Sequence, residues 1–223
     1  MLIYLIQIMK TAIVNLVTQK YIIGQQRLKQ SLIDVNYDGD FFGFVGEESV
    51  GSPKHTENPY AFKIYAINKV RELGYTKILW LDASVYAVKN VQPVFDWISE
   101  KGIFMEAAGH LCGSWANENQ LNYFKITREE AMLMPMFSAG FVAFDFENEV
   151  ATMFYNIWQK SMLDGAFIGS WENSRHDMTC GSIIANKMGL NKLYSQCGYL
   201  FSYIGSAFNT PNETAVFHLQ GLV

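Results

Sequence analysis

The sequence predicts an α/β fold, a largely parallel sheet flanked by helices, and three observations carry that reading. Ile78 to Leu81 form a continuous apolar run that ends at Asp82, the pattern of a strand buried on both faces. Strand-like and helix-like segments alternate along most of the chain, as parallel sheets with crossover helices require. Val150, Met153, Phe154, Ile157 and Trp158 follow the i, i+3, i+4, i+7, i+8 spacing of an amphipathic helix. At 223 residues the chain has the length of one large domain.

The elements follow in order. Thr11 to Val17 reads as a strand and Tyr21 to Ile33 as a helix, with Tyr21, Leu28 and Leu32 on one face. Phe41 to Val45 is a second strand. Gly46 to Asn58, polar with glycine and proline, reads as a loop. Pro59 suits the first turn of a helix that runs to about Leu73 and closes at Gly74. Lys77 to Asp82 is the buried strand. A short helix over Val91 to Ser99 and a strand over Gly102 to Ala107 come next, then an irregular loop from Gly109 to Glu118. Phe137 to Phe146 is a strand and Glu147 to Met162 a helix carrying the stripe above. Ser174 to Met188 is a helix ended by Gly189, and Ala215 to His218 a last strand. Met1 to Ile8 is apolar without a basic flank or cleavage site, and too short to span a bilayer. It reads as an extra strand, or as a leader ahead of a second start at Met9. The chain stops abruptly at Val223, as a domain excised from a longer protein would.

Composition narrows the function. A net charge of -4 argues against a binder of nucleic-acid backbone, which needs a basic footprint. Cys112, Cys180 and Cys197 share no metal spacing and read as buried thiols in a reducing compartment. The expectation is a cytoplasmic protein with no stable membrane insertion.

Certain polar residues stand out against the pattern. Asp82 follows a buried parallel strand, and open parallel sheets bind ligands beyond the carboxyl ends of their strands. Its bland alternative is a carboxylate that caps a turn. Lys63, at about 100° per residue, falls inside the apolar stripe of its helix with Tyr60 and Ile64, so it must snorkel or meet an anion. Asp177 points inward at a helix start, yet Ser174-x-x-Asp177 also fits a capping box. His176 beside it is either a ligand-binding group or a surface histidine. Gly140, in Phe137-Ser138-Ala139-Gly140, lets a backbone approach a ligand or marks a bulge. Trp115 and Trp171 lie in irregular segments, Gly109 to Glu118 and Phe167 to Asn173, where aromatic stacking platforms are expected.

In this order the segments resemble the GT-A nucleotide-sugar glycosyltransferases, specifically the family 8 or glycogenin type. Leu81-Asp82-Ala83-Ser84 resembles their Asp-x-Asp strand end, with Ser84 in place of the second Asp. Phe137 to Gly140 resembles their Phe-Asn-Ser-Gly strand, with Ala139 replacing a polar residue. Phe217-His218-Leu219-Gln220-Gly221 resembles their His-x-x-Gly motif, though the chain ends before the Lys-Pro-Trp that follows it in the family. The compact length also resembles the small GT-A modules of large algal viruses that act on capsid glycans.

The resemblance implies a Rossmann-like GT-A domain that moves a sugar from a nucleotide-diphosphate donor, a UDP-sugar first, to a glycan or glycoprotein acceptor, with retention. It implies that Leu16, Val17, Thr18 and Tyr21, with Asp82 and Ala83, seat the nucleotide. Lys63, Ser138, Ala139, Gly140, His176 and Gly221 fall near the donor sugar and diphosphate, and Asp177 near the reacting carbon as the catalytic residue. Asp82, Ser84 and His218 are implied as ligands of Mn²⁺ or Mg²⁺, whose oxygen preference suits carboxylates and phosphates. An inverting reaction with Asp177 as general base stays open. So do two other classes: a sugar-nucleotide nucleotidyltransferase, disfavoured by the lack of a glycine-rich basic loop after the first strand, and a sugar-binding module without catalysis.

Overall fold

Strand β3 (Lys77–Leu81) is buried along its whole length and stands at the centre of a five-stranded sheet. The computed structural model describes residues 10–194, 201–203 and 215–219. Met1 to Ile8, Cys197 and Gly221 lie outside them. On one side β3 pairs in parallel with β1 (Thr11–Val17), which pairs in parallel with β2 (Asp40–Val45). On the other side it pairs antiparallel with β6 (Pro135–Asp145), which pairs antiparallel with β5 (Ile103–Leu111). The order is β2-β1-β3-β6-β5, and only β6 runs against the rest of this sheet. The mostly parallel α/β architecture holds, with one reversed strand.

The two-residue period of the strands divides the core. Ala12, Val14, Ile78 and Trp80 face one layer, packed against helices α2 (Ala61–Glu72), α7 (Glu149–Leu163) and α8 (His176–Lys187). Ile13, Leu79 and Leu81 face the other, packed against α1 (Ile22–Asp34) and α3 (Gln92–Lys101). Each large side chain fully buried between these layers contributes about 1.5–3 kcal/mol. A small second sheet, β4-β8-β7, joins Val85–Ala87 to Phe217–Leu219 and Phe201–Tyr203.

Three expectations are corrected. In α7, Phe154 and Trp158 are buried, but Val150, Met153 and Ile157 are exposed. The buried face is instead Ala151, Phe154, Tyr155, Trp158, Ser161 and Met162. Hydropathy alone misplaced it because Tyr155 and Ser161 satisfy their hydroxyls inside. Tyr155 donates to the Ile64 carbonyl and to Asn68 Oδ1, and Ser161 to the Trp158 carbonyl. Second, Gly109 to Glu118 is not one irregular loop. Strand β5 continues through Leu111 with two register shifts, Gly109 takes a φ of +71°, and Cys112–Trp115 forms one helical turn, α4. Third, Ser174 and Asp177 form no capping box. Ser174 Oγ accepts the His176 N–H, while Asp177 turns into the interior.

Short elements went unseen. α5 (Glu118–Phe124) and α6 (Arg128–Ala131) open on capping boxes, Asn117 with Gln120 and Thr127 with Glu130, both legible as sequence signatures. Cys112 and Cys180 are buried free thiols as expected, and burial pushes the Cys112 thiol up to about 12. No helix among the described residues is long and apolar enough to cross a membrane.

Candidate active site

A cleft of about 610 Å³ opens at the carboxyl ends of β1 and β3. Its first wall is the end of β1 and the turn that follows, with Leu16, Val17, Thr18 and Tyr21. The turn forms because the Tyr21 N–H reaches the Thr18 carbonyl at 2.8 Å. Tyr21 therefore stands outside the core, half exposed, rather than on the buried face of α1. Asn15, fully buried within β1, donates to the Leu81 carbonyl at 2.7 Å and accepts from Gln25 at 2.9 Å. That bridge fixes the two strand ends side by side.

The floor is Asp82, Ala83 and Ser84. The Asp82 N–H donates to the Gly140 carbonyl at 2.9 Å, and Trp80 Nε1 donates to Asp82 Oδ1 at 2.7 Å. Burial pushes the Asp82 carboxyl above the usual carboxylate range. The Lys63 ammonium and the Trp80 N–H oppose that shift, and Asp177 adds to it. A Cβ at position 140 would sit 2.8 Å from Asp82 Oδ2, so glycine is what allows the carboxylate to lie against β6. Gly140→Ala is expected to destabilise the fold by about 1–3 kcal/mol through overpacking. Urea denaturation measures it, and an unchanged midpoint would show that Asp82 is free to move.

The third wall, Glu47, His55, Tyr60 and Phe62, comes from the segment that reads as a loop and from the start of α2. Tyr60 has a left-handed backbone, φ +61°, and donates its N–H to His55 Nδ1 at 3.2 Å. His55 thus carries its proton on Nε2 when neutral. Burial and His176 push its pKa down, against Asp177 and Glu47. Behind the cleft, Lys63 Nζ donates to Asp177 Oδ2 at 2.5 Å and to the Ala139 carbonyl at 2.6 Å. Both charged groups are buried, 1% and 3% exposed. Trp158 Nε1 holds the Asp177 carbonyl at 2.9 Å.

No protein-family model matches the chain, and no curated protein matches it in sequence. Solved structures do match. The chain superposes on mouse xyloside xylosyltransferase 1 with a TM-score of 0.55 at 9% identity, covering 95% of this chain and 98% of that one. A glycosyltransferase involved in glycosylation of the major capsid of PBCV-1 gives 0.51 at 11%, covering 93% and 92%. The bifunctional glycosyltransferase WbbM gives 0.58 at 12%, covering 98% of this chain but 47% of WbbM, so the chain spans about half of that protein. The fold is GT-A.

On this GT-A frame the expected nucleotide residues Leu16, Val17, Thr18, Tyr21, Asp82 and Ala83 share one cleft, together with Ser84. The residues expected at the donor sugar do not line it. Lys63 and Ala139 are tied to each other behind Asp82, Ser138 is buried, and Gly140 backs the Asp82 carboxylate. Asp177 is buried with Oδ2 on Lys63 and is not among the residues that line the cleft. His176 is not a surface histidine. It is 2% exposed, stacked on Trp171, with Nδ1 donating to the Phe167 carbonyl at 2.9 Å. His218 lies on β8 opposite Tyr86, two residues beyond Ser84, and is absent from the cleft lining. Sequence reasoning missed Glu47, His55 and Tyr60, because a returning loop brings them in.

The fit to a cation is partial. Among the described residues no three His, Cys, Asp or Glu side chains form a metal cluster. The cleft does present the Asp82 carboxylate, whose Oδ1 alone is taken by Trp80, beside Ser84. That oxygen set suits a hard cation carried on a diphosphate, which supplies the remaining ligands.

Proposed function

We propose that the chain is a GT-A glycosyltransferase of hexosyltransferase type, moving a sugar from a nucleotide-diphosphate donor, a UDP-sugar first, to a glycan or glycoprotein acceptor. The observation that carries this reading is the cleft at the ends of β1 and β3, where Thr18 and Tyr21 face Asp82 and Ser84. Tyr21 offers a π-face to the base. Asp82 and Ser84 are the groups that would meet Mn²⁺ or Mg²⁺ on the diphosphate. A cation bound there supplies charge neutralisation for the leaving diphosphate.

The protein's own groups do the positioning. Lys63 neutralises Asp177 and fixes the Ala139 carbonyl, so the backbone of β6 beneath the donor sugar is rigid. This arrangement favours a positioning role for Asp177 over general-base catalysis, and retention over the inverting route that would use it as base. The weak cation site also supports a nucleotide-dependent metal, so Mn²⁺ without nucleotide is expected to bind weakly.

The test is a panel of nucleotide sugars, with and without Mn²⁺ or Mg²⁺, read by thermal shift and by release of UDP. A cognate donor at about 100 times its Kd is expected to raise Tm by about 5–10 °C and to be turned over. Binding without turnover would identify a sugar-binding module instead. No shift from any nucleotide sugar would sink both readings.

A further inference from the structure

A line of aromatic rings leads from the cleft to the surface. Tyr60 lines the cleft, and its ring lies 5.8 Å from Trp171 and 5.6 Å from His176. Trp171 stacks on His176 at 5.5 Å with the planes 5° apart. The Arg175 guanidinium sits over both indoles, 4.6 Å from the Trp171 ring centroid and 3.3 Å from that of Trp115. One Arg175 N–H also donates to the Trp171 carbonyl at 2.7 Å. Despite these contacts Trp171 remains 58% exposed.

The base under Trp171 is rigid. The His176 N–H donates to Ser174 Oγ at 2.8 Å, its carbonyl accepts from Gln120 at 3.2 Å, and its ring is tied to Phe167. Tyr60 and His176 both hold left-handed backbone, φ +61° and +45°, rare for bulky residues. Backbone strain of this kind concentrates at ligand sites, where surrounding contacts over-determine it. Here the two strained residues lie against each other, rings tilted by 31°, and each stacks on the same exposed indole.

We propose that the exposed face of Trp171 seats the terminal pyranose of the acceptor. This rests on the glycosyltransferase reading, and it adds the acceptor's place and chemistry. One face of a pyranose is lined with C–H groups of slight positive charge, which complement the negative face of an indole. Arg175, held through Nη1 by the Trp171 and Ser174 carbonyls, sets its remaining guanidinium N–H groups beside that ring for hydroxyl or ring oxygens. Trp115 is the lesser platform, since Arg175 lies closer over its ring, 3.3 Å against 4.6 Å, and it is only half-buried where Trp171 keeps 58% of its surface exposed. A nucleobase is the competing occupant, but Tyr21 already offers a half-exposed ring at the nucleoside end of the cleft.

Labelling with 5-fluorotryptophan gives five ¹⁹F signals, and that of Trp171 is assigned by its loss in Trp171→Phe. Titration with the methyl glycosides of glucose, galactose, mannose, xylose, fucose and rhamnose is expected to move this signal saturably for at least one, and UDP to leave it in place. With that glycoside as acceptor, Trp171→Ala is expected to raise the acceptor KM at least tenfold, with UDP affinity by calorimetry unchanged. Trp171→Phe should recover part of the loss. Silence toward all six glycosides, or a Trp171 signal moved by UDP, would overturn the assignment. Failure of the wild-type protein to turn over any nucleotide sugar would overturn the enzyme reading alone, because the glycoside titration needs no donor.

Discussion

Lys63→Met is expected to cost about 3–5 kcal/mol of folding stability, the size of effect that follows removal of one partner of a buried ion pair. Lys63 and Asp177 are separated by 114 positions yet meet inside the protein at 2.5 Å. The methylenes and ammonium of Lys63 are enclosed, with the Tyr60 and Trp80 rings 5.6 and 5.4 Å from Nζ. Methionine fills much of the same volume but leaves the Asp177 carboxylate buried without a counter-charge, and leaves the Ala139 carbonyl without its donor. Urea denaturation measures the loss. The double variant Lys63→Met/Asp177→Leu removes both charges, and it is expected to recover most of the stability. It should not recover function, since Lys63 also opposes the upward push on the Asp82 carboxyl. A single variant that loses less than about 1 kcal/mol, the ceiling for a solvated pair, would show that the pair is open to water.

The contrast between β3 and this ion pair explains what was legible in the sequence. Ile78 to Leu81 announce a buried strand because burial is written locally, one apolar residue after another, and Asp82 stands out at its end. The position of Lys63 on the apolar side of its helix follows from helical geometry, so it was visible that it must either snorkel or meet an anion. The identity of that anion was not, because α2 and α8 come side by side on one face of the sheet only when the chain folds, 114 positions apart at this pair. For the same reason Ser174 and Asp177 looked like a capping box: local spacing was right, and a distant lysine decided otherwise. Strand β4 is three residues long and exists by pairing with β8 some 130 positions away, so no local pattern marks it. Trp115 and Trp171 were noticeable as aromatic residues in irregular segments. The arginine between them, and the strained backbones beneath, belong to tertiary structure alone.

Asp82→Asn is expected to abolish function while making the protein more stable at neutral pH. Asparagine keeps the shape that Gly140 accommodates, and its Oδ1 still accepts from Trp80 Nε1, so the substitution removes charge with little change in packing. Burial raises the carboxyl of Asp82 above its unfolded value, 3.8. The folded protein therefore holds that proton more tightly than the unfolded chain does, and ionising Asp82 costs stability. The cost is absent below the unfolded value, grows as pH rises toward the folded one, and is fully present above it. The stability advantage of the variant should follow the same course, nearly vanishing at acid pH and reaching a plateau at neutral pH. Turnover should fall on the order of 10²–10³ or more, as when one preorganised electrostatic group is lost from an active site, and the gain in UDP affinity from Mn²⁺ should disappear. Melting curves of both proteins across the pH range, beside steady-state rates, make the test. A stability gain that is the same at every pH would mean that packing, not charge, is what changed. An active variant would remove Asp82 from the site. Under the proposed function, a carboxylate whose ionisation costs its own fold, placed where two strand ends open into a cleft, is held there for what it binds.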